Sequence, residues 1–288
     1  MRAGEKQWVG RALLVLPTAY FLLLVAYPLY ILARMSFSRP ETGRVFGDGF
    51  SVENYIEIFF NQVFLNSLIT TARIGALVAF FTLLLAFPLA VFIWRSRSGL
   101  RNVVLLITLA PLFISVIVRA YGWMVLLSNR GVVNSALMNM GLIDRPISLI
   151  FNETGVIIGT THVLLPFMVL PILSTLQSID KSLEYAAASL GARPSRVSLD
   201  VIFPLVLPGV VTGLVLVFIL AVGSFITPVL LGGQLVLTLP VLALQQFNAT
   251  FNWALGSAYV VLLLAFVLII TLTFERLVRS SLNKGVQR

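Results

Sequence analysis

The sequence predicts an all-α, polytopic membrane helical bundle of six transmembrane helices, and three observations carry that expectation. First, only 11% of the 288 residues are charged and 59% are hydrophobic, whereas soluble domains carry about 25% charged residues. Mean hydropathy is +1.00. Second, six apolar runs are long enough to cross a bilayer, which takes roughly 20 residues each. They lie near Ala12–Leu32, Asn66–Trp94, Val103–Leu127, Val156–Leu176, Leu205–Leu231 and Gly256–Phe274. Lipid offers no partner to a free backbone group, so such runs must be helical. Third, Lys and Arg divide unevenly between alternate loops, thirteen against five. Positive charge collects on the inner face, so both termini and the loop near Gly191 are expected in the cytoplasm of an inner-membrane, multi-pass protein.

Composition also excludes. Cysteine is absent and His162 is the one histidine, which leaves no thiolate or imidazole cluster for a metal. No metal and no cofactor are expected on this chain. The net charge of +9 invites a nucleic-acid partner, but it resides in loops on one membrane face, so lipid is the expected partner and nucleic acid is not. The first apolar run is too long for a cleavable signal peptide, and no small-residue cleavage site follows it.

Between the runs, the first outer loop holds Ser51-Val52-Glu53-Asn54-Tyr55, read as the start of a short helix with Ser51 placed to cap it. The second, about Asn129–Gly155, carries Gly131, Gly141 and Pro146. The third, Gly232–Leu255, has no charge, and its apolar middle, Leu235–Leu244, is too short to span; it reads as re-entrant or interfacial. Pro88, Pro111, Pro166, Pro171 and Pro228 punctuate the spans. Each favours a kink, which suits either ordinary curvature or a bundle that opens on alternate sides.

One stretch stands apart. Leu176–Pro208 is polar, sits between two apolar runs and holds two short helical patterns. Asp180 can cap a helix beginning at Lys181. Leu183, Ala186, Ala187 and Leu190 then share one face. Gly191 is a left-handed stop, Arg193-Pro194 turns the chain, and Ser195 can cap a second helix running through Val197 and Val201 to Phe203, before Pro204. A docking elbow for a cytoplasmic protein is one reading; an amphipathic loop lying on lipid is the other.

These residues resemble the signature loop of inner-membrane permease subunits of ABC importers, patterned E-A-A, three residues, Gly, nine residues, I-x-L-P. Ala186 and Ala187 take the Ala positions, Gly191 the Gly and Pro204 the Pro. Tyr185 stands where the pattern has Glu, with Glu184 one residue early, and Val201 and Phe203 replace Ile and Leu. The resemblance covers about residues 66–275. Looser similarity to the spermidine/putrescine-type branch lies in Phe87-Pro88-Leu89-Ala90, in Val118–Trp123 and in Leu230-Leu231-Gly232-Gly233. That branch also includes importers of other small solutes, such as opines, phosphonates or iron chelates.

The resemblance implies the type I importer permease (MetI-like) fold. It implies an N-terminal tail (1–11), a first transmembrane helix with its outer loop (12–65), a permease domain (66–275) with a coupling loop (177–204), and a C-terminal tail (276–288). Of two ATPase subunits, one would engage Glu184, Tyr185, Ala186, Ala187, Leu190, Gly191, Ala192, Arg193 and Pro204. A second permease subunit, identical or homologous, would complete the pathway, and a periplasmic solute-binding protein would deliver the cargo. The chain has no Gly-rich loop ending in Gly-Lys-Ser/Thr. It is therefore expected not to be an enzyme, with ATP hydrolysis on a separate subunit.

No Asp or Glu falls inside the six runs, but Arg73 and Arg119 do. Intramembrane charge is costly and marks function by default. Counting 1.5 Å per residue puts them about 10 and 13 Å below the outer ends of their spans. His162 falls in the outer half as well. Together with Tyr121, Trp123, Ser224 and Thr227 they form the expected substrate pathway. Alternatively the arginines snorkel to headgroups or cap a neighbouring helix end, and His162 is a hydrogen-bonded core residue. An ion-coupled carrier would want mid-membrane acids, an intramembrane hydrolase would rest on His162 alone, and a purely structural subunit would not need kinked, polar-lined spans.

Overall fold

The structure is a computed structural model and describes residues 3–39, 47, 49–180, 182–193 and 196–286. Among these, helices and turns account for all regular structure. Five helical runs are long and apolar enough to cross a membrane, and a sixth crossing forms if one bent pair counts as a single span.

The chain groups into two compact units, Met1–Phe64 with Leu242–Ala265, and Leu65–Val241 with Phe266–Arg288. In the first, α1 (Ala3–Ser36) contains the first expected span, and its side chains from Tyr20 to Tyr30 are largely exposed. α2 (Glu53–Phe60) starts where expected, but Val52 and not Ser51 is its N-cap, and Ser51 Oγ instead accepts from the Glu53 amide at 3.1 Å. Asn54 is fully buried and donates to the Ser36 and Ser38 carbonyls, so one amide side chain satisfies the frayed end of α1. Phe64 packs on Tyr259, ring centroids 6.0 Å apart.

The second unit is organised by a close-packed seam. α3 (Gln62–Arg95) enters it at Leu65. α7 (Glu153–Gln177) starts at an Asn152 side chain that accepts from the Gly155 amide at 3.0 Å. α9 (Phe203–Val222) lies against α7 with Gly209 on Pro171 and Thr175, and Gly213 on Met168. A Cβ at either glycine would collide, so the missing side chains set how near the two backbones come. Lipid supplies no hydrophobic drive between helices, and small residues make dispersion contact possible instead.

Two spans differ from expectation. The third is not one helix. α4 (Ser98–Leu109) passes through a 3₁₀ turn at Ala110–Phe113, and α5 (Val116–Leu127) leaves at 104° to it. Pro111 begins the tightened turn and Ile114 and Ser115 are extended, which ends the hydrogen-bond ladder there. α6 (Val132–Asn139) follows. The fifth span stops at Val222 rather than Leu231. Gly223 closes it, and Pro228 opens a separate π-helical turn, Pro228–Gly232. The segment expected to be re-entrant or interfacial is α10 (Leu239–Asn248), and α11 (Trp253–Val286) contains the sixth span.

Candidate coupling elbow and polar cluster

After α7 the chain makes the elbow. The Ser182 amide donates to Asp180 Oδ1 at 2.9 Å and α8 (Ser182–Ser189) follows. That bond, with the Ser182 hydroxyl, holds the exposed Asp180 carboxyl below its ordinary range. Gly191 has φ +81°, a conformation that costs an L-residue and not glycine. The Ala192 amide reaches back to the Ala187 carbonyl at 3.2 Å. Lys181, Pro194 and Ser195 lie outside the described residues, as do the side chains of Glu184 and Tyr185.

The second elbow helix does not end before Pro204. A π-helical turn, Val197–Ile202, runs straight into α9. Proline has no amide hydrogen and its ring crowds the carbonyl four residues back; a wider turn ahead of it removes that conflict. Ala187 and Ala192 pack toward the core. By contrast Leu183, Ala186, Leu190 and Arg193 are exposed, Leu190 at 90%. Leu190 to Arg193 with Arg196, Val197, Asp200 and Val201 line a groove of ≈ 480 Å³. Arg95, at the end of α3, donates to Ser198 Oγ at 3.1 Å and ties the elbow to that helix.

At the other end of α7 the polar residues separate into distinct groups. Arg73 pairs with Glu153, the first residue of α7. Sequence reading left Glu153 outside the spans and missed this partner, eighty residues away. Arg119 donates to the Pro111 carbonyl, so it caps the broken end of the third span. Because that span bends, a depth counted along one straight axis does not hold for Arg119. The Trp123 indole N–H donates to His162 Nδ1 at 3.3 Å, the rings edge to face. This pair lines a pocket of ≈ 520 Å³ with Phe81, Leu85, Ile157 and Leu165. Tyr121 faces a different hollow, of ≈ 640 Å³, with Asn129, Ser148 and Phe151. Ser224 lies just beyond α9, half-buried, and Thr227 is buried against Gly159 of α7. The seven residues expected to line one pathway are thus distributed over several places.

The chain belongs to the family of binding-protein-dependent transport system inner membrane components, which it matches over residues 12–282. It is 30% identical over 272 residues to the spermidine/putrescine transport system permease protein PotB of Haemophilus influenzae, covering 93% of each chain. It is similar to a chain of a bacterial ABC transporter involved in the import of the acidic polysaccharide alginate, with TM-score 0.79 and 20% identity over 96% of each chain. A second structure of an alginate ABC transporter, in complex with alginate pentasaccharide-bound periplasmic protein, matches with TM-score 0.74, 20% identity and the same coverage. At such identity the likeness is one of fold: this is the MetI-like, multi-pass inner-membrane permease fold.

Proposed function

We propose that this permease forms half of the pathway of an ATP-driven importer for a polyamine-type cargo such as spermidine or putrescine. The observation that carries the reading is the elbow: an exposed helix–turn–helix, stopped at Gly191 and continuous with a spanning helix, within a chain 30% identical to a polyamine permease. One of two ATPase subunits docks on Glu184–Arg193, and the other docks on the matching loop of the second permease. A second permease completes the pathway and a periplasmic protein delivers the cargo. The excess of Lys and Arg at the termini and elbow puts both in the cytoplasm. No cofactor resides on this chain, and ATP is hydrolysed on the separate subunits. An anionic cargo such as a phosphonate is the second reading, favoured by Arg73 and Arg119 in the spans.

Affinity purification of the tagged chain should bring down an ATPase subunit, and the complex in proteoliposomes should take up labelled putrescine only with ATP. Uptake by the isolated chain without ATP would sink the reading. Uptake of 2-aminoethylphosphonate in place of the amine would move it to the second.

A further inference from the structure

Glu153 is the acid that a cationic cargo wants and that the sequence did not reveal. α3 and α7 flank the Trp123–His162 pocket, α3 through Phe81 and Leu85, α7 through Thr154, Ile157 and Leu165. Arg73 and Glu153 bridge the same two helices. Glu153 stands one residue before Thr154 and one turn before Ile157, and Arg73 two turns before Phe81. The ion pair therefore joins α3 to the first residue of α7, at the α7 end away from the elbow. It is not locked by burial, since the two side chains are 52% and 33% exposed, and open pairs of this kind are weak.

We propose that Glu153 accepts an ammonium group of the cargo and that the Arg73 guanidinium occupies that place until cargo displaces it. The proposal rests on the polyamine reading and adds to it the residue that selects for positive charge. The surroundings fit an alkylamine: the Glu153 carboxylate one residue before the lining Thr154 for the ammonium, apolar pocket walls for the methylene chain, and an indole that can take a cation on its face.

The test is equilibrium binding of radiolabelled putrescine to the solubilised complex without binding protein, together with ATP-driven uptake. E153Q should weaken binding by at least ~tenfold, as loss of a charge partner does, whereas E153D stays within a few-fold of it. R73Q should tighten binding several-fold, because the internal competitor is gone. The double variant R73Q/E153Q should remain as weak as E153Q. Unchanged binding in E153Q, unchanged or weaker binding in R73Q, or full recovery in the double variant would overturn the proposal; recovery would mean the pair only staples two helices. R73Q keeps the test decisive if E153Q fails to assemble. A wild-type complex that neither binds nor imports putrescine or spermidine overturns the polyamine reading and this inference with it. Amine import unaffected by E153Q overturns this inference alone.

Discussion

The elbow and the polar cluster sit at opposite ends of α7 and use their side chains in contrary ways. In the elbow the backbone is satisfied locally and the apolar side chains Leu183 and Leu190 are left uncovered by the chain. In the cluster the polar atoms are spent on one another: Arg73 on Glu153, Arg119 on the Pro111 carbonyl, Trp123 on His162. Under the proposed function, the elbow is a surface for an ATPase subunit. The cluster is partly structure, and under the proposed function a residue there has to release an internal partner before it can meet cargo. Variants in the two regions should therefore fail differently, one losing coupling and the other losing stability.

The largest effect should come from G191V. Its φ of +81° would cost a β-branched residue roughly 1–2 kcal/mol or more, and the Ala192–Ala187 turn would open. ATP-driven uptake should fall more than ~tenfold while immunoblots show normal membrane levels; wild-type uptake would break the contrast from the elbow side. R119M removes the charged one of two donors to the Pro111 carbonyl, leaving the Ile114 amide at 3.4 Å. A hydrogen bond from a charged group contributes about 1.5–3 kcal/mol, so thermal unfolding should come earlier, and an unchanged Tm would show that Arg119 is not structural. L190S should do the reverse. Substitution at this exposed site should move stability by no more than about 0.5 kcal/mol, yet ATPase stimulation by the permease should drop.

The smallest effect concerns Asp180, whose carboxyl is held below its ordinary range by Ser182. A depressed carboxylate stabilises fully above the unfolded value of about 4 and loses that contribution as pH falls through the lower, folded one. Protection of the Ser182 amide, taken against its intrinsic exchange rate at each pH, should hold down to about pH 4 and fall only below it. Loss of that protection already near neutrality would remove Asp180 as the cap.

Much of the elbow was legible because its determinants are close in sequence. Asp180 and Ser182 are two residues apart, and Gly191 announces its own conformation. Spans were legible from length and hydropathy alone. The break at Phe113–Ser115 was not, because a proline in an apolar run signals a kink without its size; here Arg119, eight residues from Pro111, holds the carbonyl that the bend exposes. Nor were the cluster's partners legible. Trp123 meets His162 across thirty-nine residues, and Arg73 meets Glu153 across eighty. Periodicity places each on its helix but says nothing of which faces meet.

Val197 to Val222 is one unbroken run of 26 residues, a rod of about 40 Å that begins in the elbow and ends at the far side of the seam with α7. Such a rod has no slack. Inserting a single residue after Ile202 would turn everything beyond it by about 100°, swinging Gly209 and Gly213 off Pro171 and Met168 while leaving the elbow's own contacts intact. The phase between the two ends, and not only their presence, is then what such an insertion would destroy.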